Sequence, residues 1–257
     1  MIAKESDWYK NIWSLDIKNH SWVEDTKQQI DFIIDTLDLK RNQRILDLAC
    51  GFGRHSLELA RRGFQVVGAD ITKDFITDAE STAKKEGLSA QFILSDIRDI
   101  KFKQEFDVVL NMADGAIGYL ENDSENLKIF DVIANALKPG GKHFMDLCNA
   151  EYAELHFPAT SWDAGENALS LSSFEWDTEK KIMLYGGKAI PYGEPLGKPE
   201  ILYGDAIRLY SHEELDEILE ARNMMIKQTY SNYYGKSETS KELQLMVYSI
   251  KSGEMYQ

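Results

Sequence analysis

Two carboxylates and two glycines in one short stretch carry the first chemistry. Asp47-Leu48-Ala49-Cys50-Gly51-Phe52-Gly53 ends the apolar run Arg44-Ile45-Leu46 and opens a helix-like segment from His55 to Arg62. Asp70 closes the next apolar run, 19 residues after Gly51. Strand, glycine turn, helix, strand, carboxylate is the layout of a nucleoside-binding βαβ unit. Glycine lets the backbone turn tightly and approach a ligand. A carboxylate offers two oxygens that match a vicinal diol. The dinucleotide pattern G-x-G-x-x-G is not met, because Gly51-Phe52-Gly53 is followed by Arg54, His55 and Ser56. That argues against a nicotinamide-dependent oxidoreductase.

Further polar residues sit where predicted strands end, the edge at which open α/β sheets bind ligands. Ser95-Asp96-Ile97-Arg98 follows the third strand. Asn111-Met112-Ala113-Asp114-Gly115-Ala116-Ile117-Gly118-Tyr119 follows the fourth. Asp114 is a candidate to orient an amine or act as a base, with a structural role as the alternative. His55, at a helix N-terminus, is a second candidate base, against a capping role. Tyr9 is the third catalytic candidate, since its hydroxyl can reach a carboxylate or an acceptor. Cys50 reads as a small residue in a tight turn. No Cys/His spacing fits zinc and no G-x-S-x-G elbow occurs, so no metal is expected.

The elements that must position these residues follow from periodicity. Residues 22–38 predict an amphipathic helix on Val23, Ile30, Phe32, Ile33, Ile34 and Leu37, with Ser21 as its cap. Strands are predicted at 45–49, 64–69, 90–94, 106–111 and 142–147. Helices are predicted at 54–62, 73–86 and 123–137, the last stopped by Pro139-Gly140-Gly141. Strands alternating with helices imply a mostly parallel, doubly covered sheet. Beyond residue 150 the pattern turns to hairpin strands at 169–176, 181–186 and 200–209, with a loop at 187–199. A helix at 211–222 opens on the capping box Ser211 to Glu214, and strands 225–234 and 244–250 close the chain.

Composition narrows the function classes. A net charge of −14 repels phosphate backbones, so nucleic acid is not an expected partner. The charge reads as solubility or as a site that welcomes amines or other cations. The apolar fraction of 43% supports a real core. No transmembrane run or signal peptide is found, and two cysteines suit a reducing cytosol, so a cytoplasmic location without membrane partner is expected. The oligomeric state stays open.

The pattern D-x-x-x-G-x-G, from Asp47 to Gly53, and the longer string DLACGFGRHSLELARRGFQVVGADIT resemble the small-molecule branch of class I S-adenosylmethionine (SAM)-dependent methyltransferases. The resemblance covers residues 40–150 well and the last quarter more loosely. It implies an α/β, Rossmann-like sheet of order 3-2-1-4-5-7-6, last strand antiparallel, with a small antiparallel β insert after strand five. One domain over 1–257 would hold an N-terminal lid and helix (1–38), a SAM-binding core (39–150), the insert (151–209) and a closing helix and strand pair (210–257). The resemblance further implies that Gly51, Phe52 and Gly53 wrap the methionine moiety and Asp47 holds its ammonium. Asp70 would take the ribose, Ile71 one adenine face, Asp96 and Ile97 the adenine edge. Asn111 and Met112 would border the methionine. Asp114 departs from the Ser/Thr-type residues common near its position.

The implied reaction is methyl transfer from SAM to an N, O or C atom of a small-molecule acceptor. A SAM-binding module without turnover is the alternative. Tyr119, Arg208, Tyr233 and Tyr234 are further pocket candidates, and Trp162, Trp176 and Tyr185 stand between insert core and acceptor wall. Trp8, Tyr9, Trp13 and Trp22 read as helix anchors or as a lid over the ligands.

Overall fold

The computed structural model describes residues 1–20, 23–237 and 240–253; Ser21 and Trp22 lie outside them. Strand β1 (Ile2–Ala3) precedes two 3-10 turns, Trp8–Lys10 and Leu15–Asn19. After α1 (Thr26–Thr36) strands and helices alternate: β2 (Arg44–Leu48), α2 (Arg54–Arg61), β3 (Gln65–Asp70), α3 (Lys73–Glu86), β4 (Ala90–Leu94), β5 (Phe106–Asn111), α4 (Asp123–Ala136) and β6 (Leu137–Cys148). Then come α5 (Ala150–His156), β7 (Ala159–Ala164), β8 (Ala168–Asp177), β9 (Ile182–Pro191), β10 (Tyr203–Arg208), α6 (His212–Glu220), β11 (Met224–Tyr230) and β12 (Gln244–Lys251). Among the described residues no helix is long and apolar enough to cross a membrane.

Seven strands form the main sheet in the order β11-β12-β6-β5-β2-β3-β4. Pairs from β6 to β4 are parallel; β12 runs antiparallel between β6 and β11. This is the predicted 3-2-1-4-5-7-6 order read from the other edge. Alternate side chains of each strand enter opposite cores. Ile45, Val66, Val108 and Phe144 meet Ile30, Ile33 and Leu59 from α1 and α2. Leu46, Val67, Val109 and Met145 meet Ile129, Phe130 and Leu215 from α4 and α6. Strands buried on both faces need near-continuous apolar runs, which is what 44–48 and 106–111 supply.

A second, five-stranded sheet has the order β1-β10-β9-β8-β7 and is antiparallel except for the β1–β10 pair. Its Met183 and Ile207 join the same core as Trp8 and Tyr9.

Local signals placed most boundaries. Ser211 and Glu214 form the predicted capping box. Gly87, in the left-handed conformation, ends α3. Four expectations change. The helix expected at 22–38 spans only Thr26–Thr36 and is preceded by Asp25. The Pro139-Gly140-Gly141 stop lies inside β6: Phe106 pairs with Leu137 and Val108 with Lys142, so residues 138–141 bulge from the ladder. The loop expected from 187 is strand as far as Pro191, because β8 pairs along its whole length and cross-strand pairing overrides the weak strand propensity of Gly186 and Gly187. The strand expected to reach 234 ends at Tyr230. Short elements β1, α5 and β7 have no clear period to read; α5 rests on an Asn149 cap that accepts from Glu151 N at 2.9 Å.

Candidate active site

Register brings the polar residues to one edge. Asp47 lies beside Gly68 and Leu110, and Asp70 beside Leu94, so the ends of β2, β3, β4 and β5 emerge together. There a cavity of about 680 Å³ opens, roofed by the 3-10 turns of the N-terminal segment and closed on one side by the second sheet. Asp47, Gly51, Phe52, Asp70 and Ile71 border it, as do Asp96, Ile97 and Met112. The three catalytic candidates, Tyr9, His55 and Asp114, border it as well.

Two predicted residues stand apart from it. Asn111 is fully buried, and its Nδ2 donates to Gly115 O at 3.2 Å. Gly53 faces protein: a Cβ there would come within 3.0 Å of Phe92 and Ala79, at φ +77. Its conformation and its packing against α3 and β4 demand glycine. Gly51 (φ +57) is the contrary case: a Cβ there would stand on the cavity wall, with only Phe75 as near as 4.0 Å.

Asp47 is 1% exposed. Its Oδ2 accepts from Ser56 Oγ at 2.6 Å, while Oδ1 has no hydrogen-bond partner. Burial pushes its carboxyl up to about 6, against the Ser56 bond. A buried carboxylate oxygen without a partner, in a residue that borders the cavity, is an acceptor left unanswered by the protein. Asp70 ties the glycine turn to the next helix: Oδ2 accepts from Gly51 N at 2.9 Å and Oδ1 from Thr72 N at 2.8 Å. Burial raises its carboxyl too, with both backbone bonds opposing.

Asp96 is not idle. It caps its own turn through Arg98 N at 2.9 Å and holds the Arg98 guanidinium at 2.5–3.1 Å. The Arg98 bond keeps its carboxyl below the ordinary range. Arg98 also reaches Glu121, Glu125 and Tyr9 Oη, and Tyr9 donates to Glu121 at 3.0 Å. Tyr9 is thereby tied into a charge network at the cavity rim. His55 is buried against Gln29, its Nε2–H donating to Oε1 at 2.8 Å; burial, then Arg54, pulls its pKa well below the ordinary value. The ring thus borders the cavity with its Nε2 already engaged by Gln29.

Asp114 sits in a strained turn. Ala113, Asp114, Gly115 and Ala116 all have left-handed φ, at 53, 65, 52 and 62°. Each non-glycine residue there costs about 1–2 kcal/mol, so the surroundings must hold the turn. Asp114 N donates to Asp146 O at 2.8 Å, and Asn126 Oδ1 accepts from Gly118 N and Leu120 N, both at 3.1 Å. Asp114 Oδ2 accepts from Tyr119 Oη at 3.1 Å. Burial, then the charge of Asp146, pushes Asp114 up to about 6. Asp146 itself accepts from Tyr233 Oη at 2.6 Å and Gln244 Nε2 at 2.9 Å.

Of the remaining candidates, Tyr119, Tyr185, Trp8 and Trp13 reach the cavity. Tyr233 donates to Asp146 and does not itself border the cavity. Trp162 is 71% exposed and Tyr234 82%. Trp176 bonds Glu154, and Arg208 bonds Glu214 at 2.6 Å and Asp123 at 3.4 Å; none of these four borders the cavity. Asp146, Phe174, Met183 and Ile207 border it without having been singled out by sequence. A lone acid inside the apolar run Phe144-Met145-Asp146-Leu147 is the one available signal; the other three look like core.

A methyltransferase-domain family model matches residues 39–223. The chain belongs to the class I SAM-dependent methyltransferases. SAM is the cofactor, and the nicotinamide alternative falls away. The chain is 31% identical over 128 residues to a cypemycin N-terminal methyltransferase from Streptomyces sp, covering 50% of the chain and 48% of that relative. It is 30% identical over 127 residues to a ubiquinone biosynthesis O-methyltransferase from Xylella fastidiosa (strain M23), 49% of each. The chain spans about half the length of the curated relatives it matches. The fold is similar to that of a SAM-dependent methyltransferase from Clostridium acetobutylicum ATCC 824, with a TM-score of 0.72, 19% identity, and coverage of 89% of this chain and 92% of that one.

The two glycines of this methyltransferase separate fold from site. Gly53→Ala is expected to cost about 2–4 kcal/mol of stability, from overpacking plus the left-handed backbone. Gly51→Ala should cost only about 1–2 kcal/mol yet weaken binding of S-adenosylhomocysteine (SAH), because its methyl meets open cavity. Urea melts and SAH calorimetry on both variants check this; equal effects of the two on stability would refute the distinction.

Proposed function

We propose that this methyltransferase transfers a methyl group from SAM to an N, O or C atom of a small-molecule acceptor. The unpartnered Oδ1 of Asp47 is the observation that carries the reading. Asp47 borders the cavity beside Gly51, where an α-ammonium would supply the missing donor. Gly51 and Phe52 would lie along the methionine chain, with Met112 opposite. Asp70 keeps lone pairs for the ribose hydroxyls beyond its two backbone donors. Ile71 and Ile97 would flank adenine, and the adenine amino group would share Asp96 with Arg98. Bound SAM supplies an electrophilic methyl on a sulfonium. The protein's part is to position the acceptor in line and keep water out.

In this reading residues 39–150 hold the cofactor and 151–209 build the acceptor wall through Phe174, Met183 and Tyr185. Residues 1–38 cover both, and 210–257 close the sheet. Two free cysteines, among the described residues, fit a cytoplasmic site of action, and the net charge of −14 weighs against a nucleic-acid acceptor. Calorimetry should show saturable binding of SAH and no heat with NAD; binding of NAD without a response to SAH would overturn the reading.

A further inference from the structure

A second set of side chains lines the cavity besides those of the glycine turn. It combines the rings of Tyr119, Phe174 and Tyr185 and the side chains of Met183 and Ile207 with the carboxylates of Asp114 and Asp146. Tyr119 is itself packed against Trp8, with centroids 4.9 Å apart, and stacked on Trp13 at 6.4 Å. Aromatic faces and carboxylates together make an environment suited to an organic cation.

The charges there are unbalanced. Asp205, on the second sheet, is answered by Lys4 at 2.6 Å. Arg54 is hydrogen-bonded to Thr26 and Gln29 at 2.9 and 2.5 Å, and its charge also acts on Asp146, opposing the rise that burial causes there, while Asp114 has no such cation. Asp146 has only neutral side-chain donors, Tyr233 and Gln244. Asp114 has the Tyr119 hydroxyl and the neighbouring Cys148. Among the described residues no ion pair reaches either acid. Two carboxylates near each other in a half-enclosed site repel, and a ligand cation between rings and acids relieves that repulsion.

We propose that the acceptor is an amine, taken up as a cation at Asp114 with its carbon frame against Phe174, Met183 and Tyr185. This rests on the reading of the cavity as a cofactor site joined to an acceptor site. It also gives the strained turn a purpose. The left-handed run 113–116 turns Asp114 off the end of β5 into the chamber, where an extended continuation of the strand would carry it past. An amine that arrives protonated must release a proton to expose its lone pair. Asp114 is the carboxylate placed to receive it, and its raised pKa makes it a better base than an exposed aspartate.

The test uses the full chain saturated with SAH and three ligands that differ only in head group: benzylamine, benzyl alcohol and benzoate. Trp8 and Trp13 on the cavity wall supply a fluorescence readout. Benzylamine is expected to bind at least tenfold more tightly than the other two. Asp114→Asn should abolish that preference, since it removes the charge and keeps shape. Asparagine is also among the residues that tolerate left-handed φ, so the turn survives. Tyr119→Phe should keep the preference, because the carboxylate remains charged. Absence of an amine preference in the natural chain, or its persistence in Asp114→Asn, overturns the proposal. If Asp114→Asn instead reduces binding of SAM but not of SAH, with amine binding unchanged, the carboxylate answers to the sulfonium and the proposal fails. Failure of the natural chain to bind SAH at all overturns the cofactor reading, which is a separate result.

Discussion

Replacing Trp8 by alanine is expected to cost about 3–5 kcal/mol of stability, the range for truncating a buried aromatic. The sequence leaves two readings open, helix anchors or a lid, and the second predicts a different outcome. Read as a lid, aromatics near a terminus without helical spacing imply that deleting residues 1–19 would spare the melt and lower turnover at least about tenfold. In the fold, Trp8 is 5% exposed and Tyr9 4%. Trp8 Nε1 donates to Ala206 O at 3.3 Å, and its ring joins Tyr9, Trp13 and Tyr119. Both residues share a core with Ile97, Ile117 and Met183. Losing the ring leaves a void between the N-terminal segment, the loop after β5 and the second sheet. The deletion is therefore expected to lower the midpoint and to lose SAH binding together, since the same segment roofs the cavity. A urea titration of Trp8→Ala decides it: an unchanged midpoint would show that the segment contributes nothing to the core and would restore the lid.

Asp70→Ala should weaken SAH binding by about 1.5–3 kcal/mol, the scale of hydrogen bonds to a charged group. A neutral effect on folding does not follow, although an open strand end by itself implies one. The carboxylate is buried and accepts from Gly51 N and Thr72 N, so its removal leaves two backbone donors without their partner and loosens the glycine turn. A stability loss of about 1–3 kcal/mol is expected as well. Asp70→Asn keeps one acceptor oxygen and should recover part of the stability with less of the affinity. Calorimetry and urea melts on the two variants separate these effects. SAH affinity at the natural level in Asp70→Ala would remove Asp70 from the ribose role.

What the sequence determined by itself is the part that local chemistry dictates. The runs at 45–49, 64–69 and 106–111, the glycine turn between the first two, and the capping box at Ser211 all express short-range preferences. These set the α/β alternation, the βαβ unit and the edge at which Asp47, Asp70 and Asp96 emerge. Resemblance to the methyltransferases then supplied the sheet order. Tertiary structure alone decided which way side chains at that edge face. Asn111 and Gly53 belong to the motif but turn into protein, because the turn after β5 and the packing of Phe92 and Ala79 claim them. Asp114 reaches the cavity on a left-handed backbone that its own residues disfavour, held at Asp114 N by Asp146 O of β6, while Asn126 of α4 fixes the chain just beyond at Gly118 and Leu120. Trp8 meets Ala206 across 198 residues, and β1 completes a sheet whose other strands begin after residue 158. Such pairings rest on packing between distant segments, and no periodicity within either segment carries a trace of them.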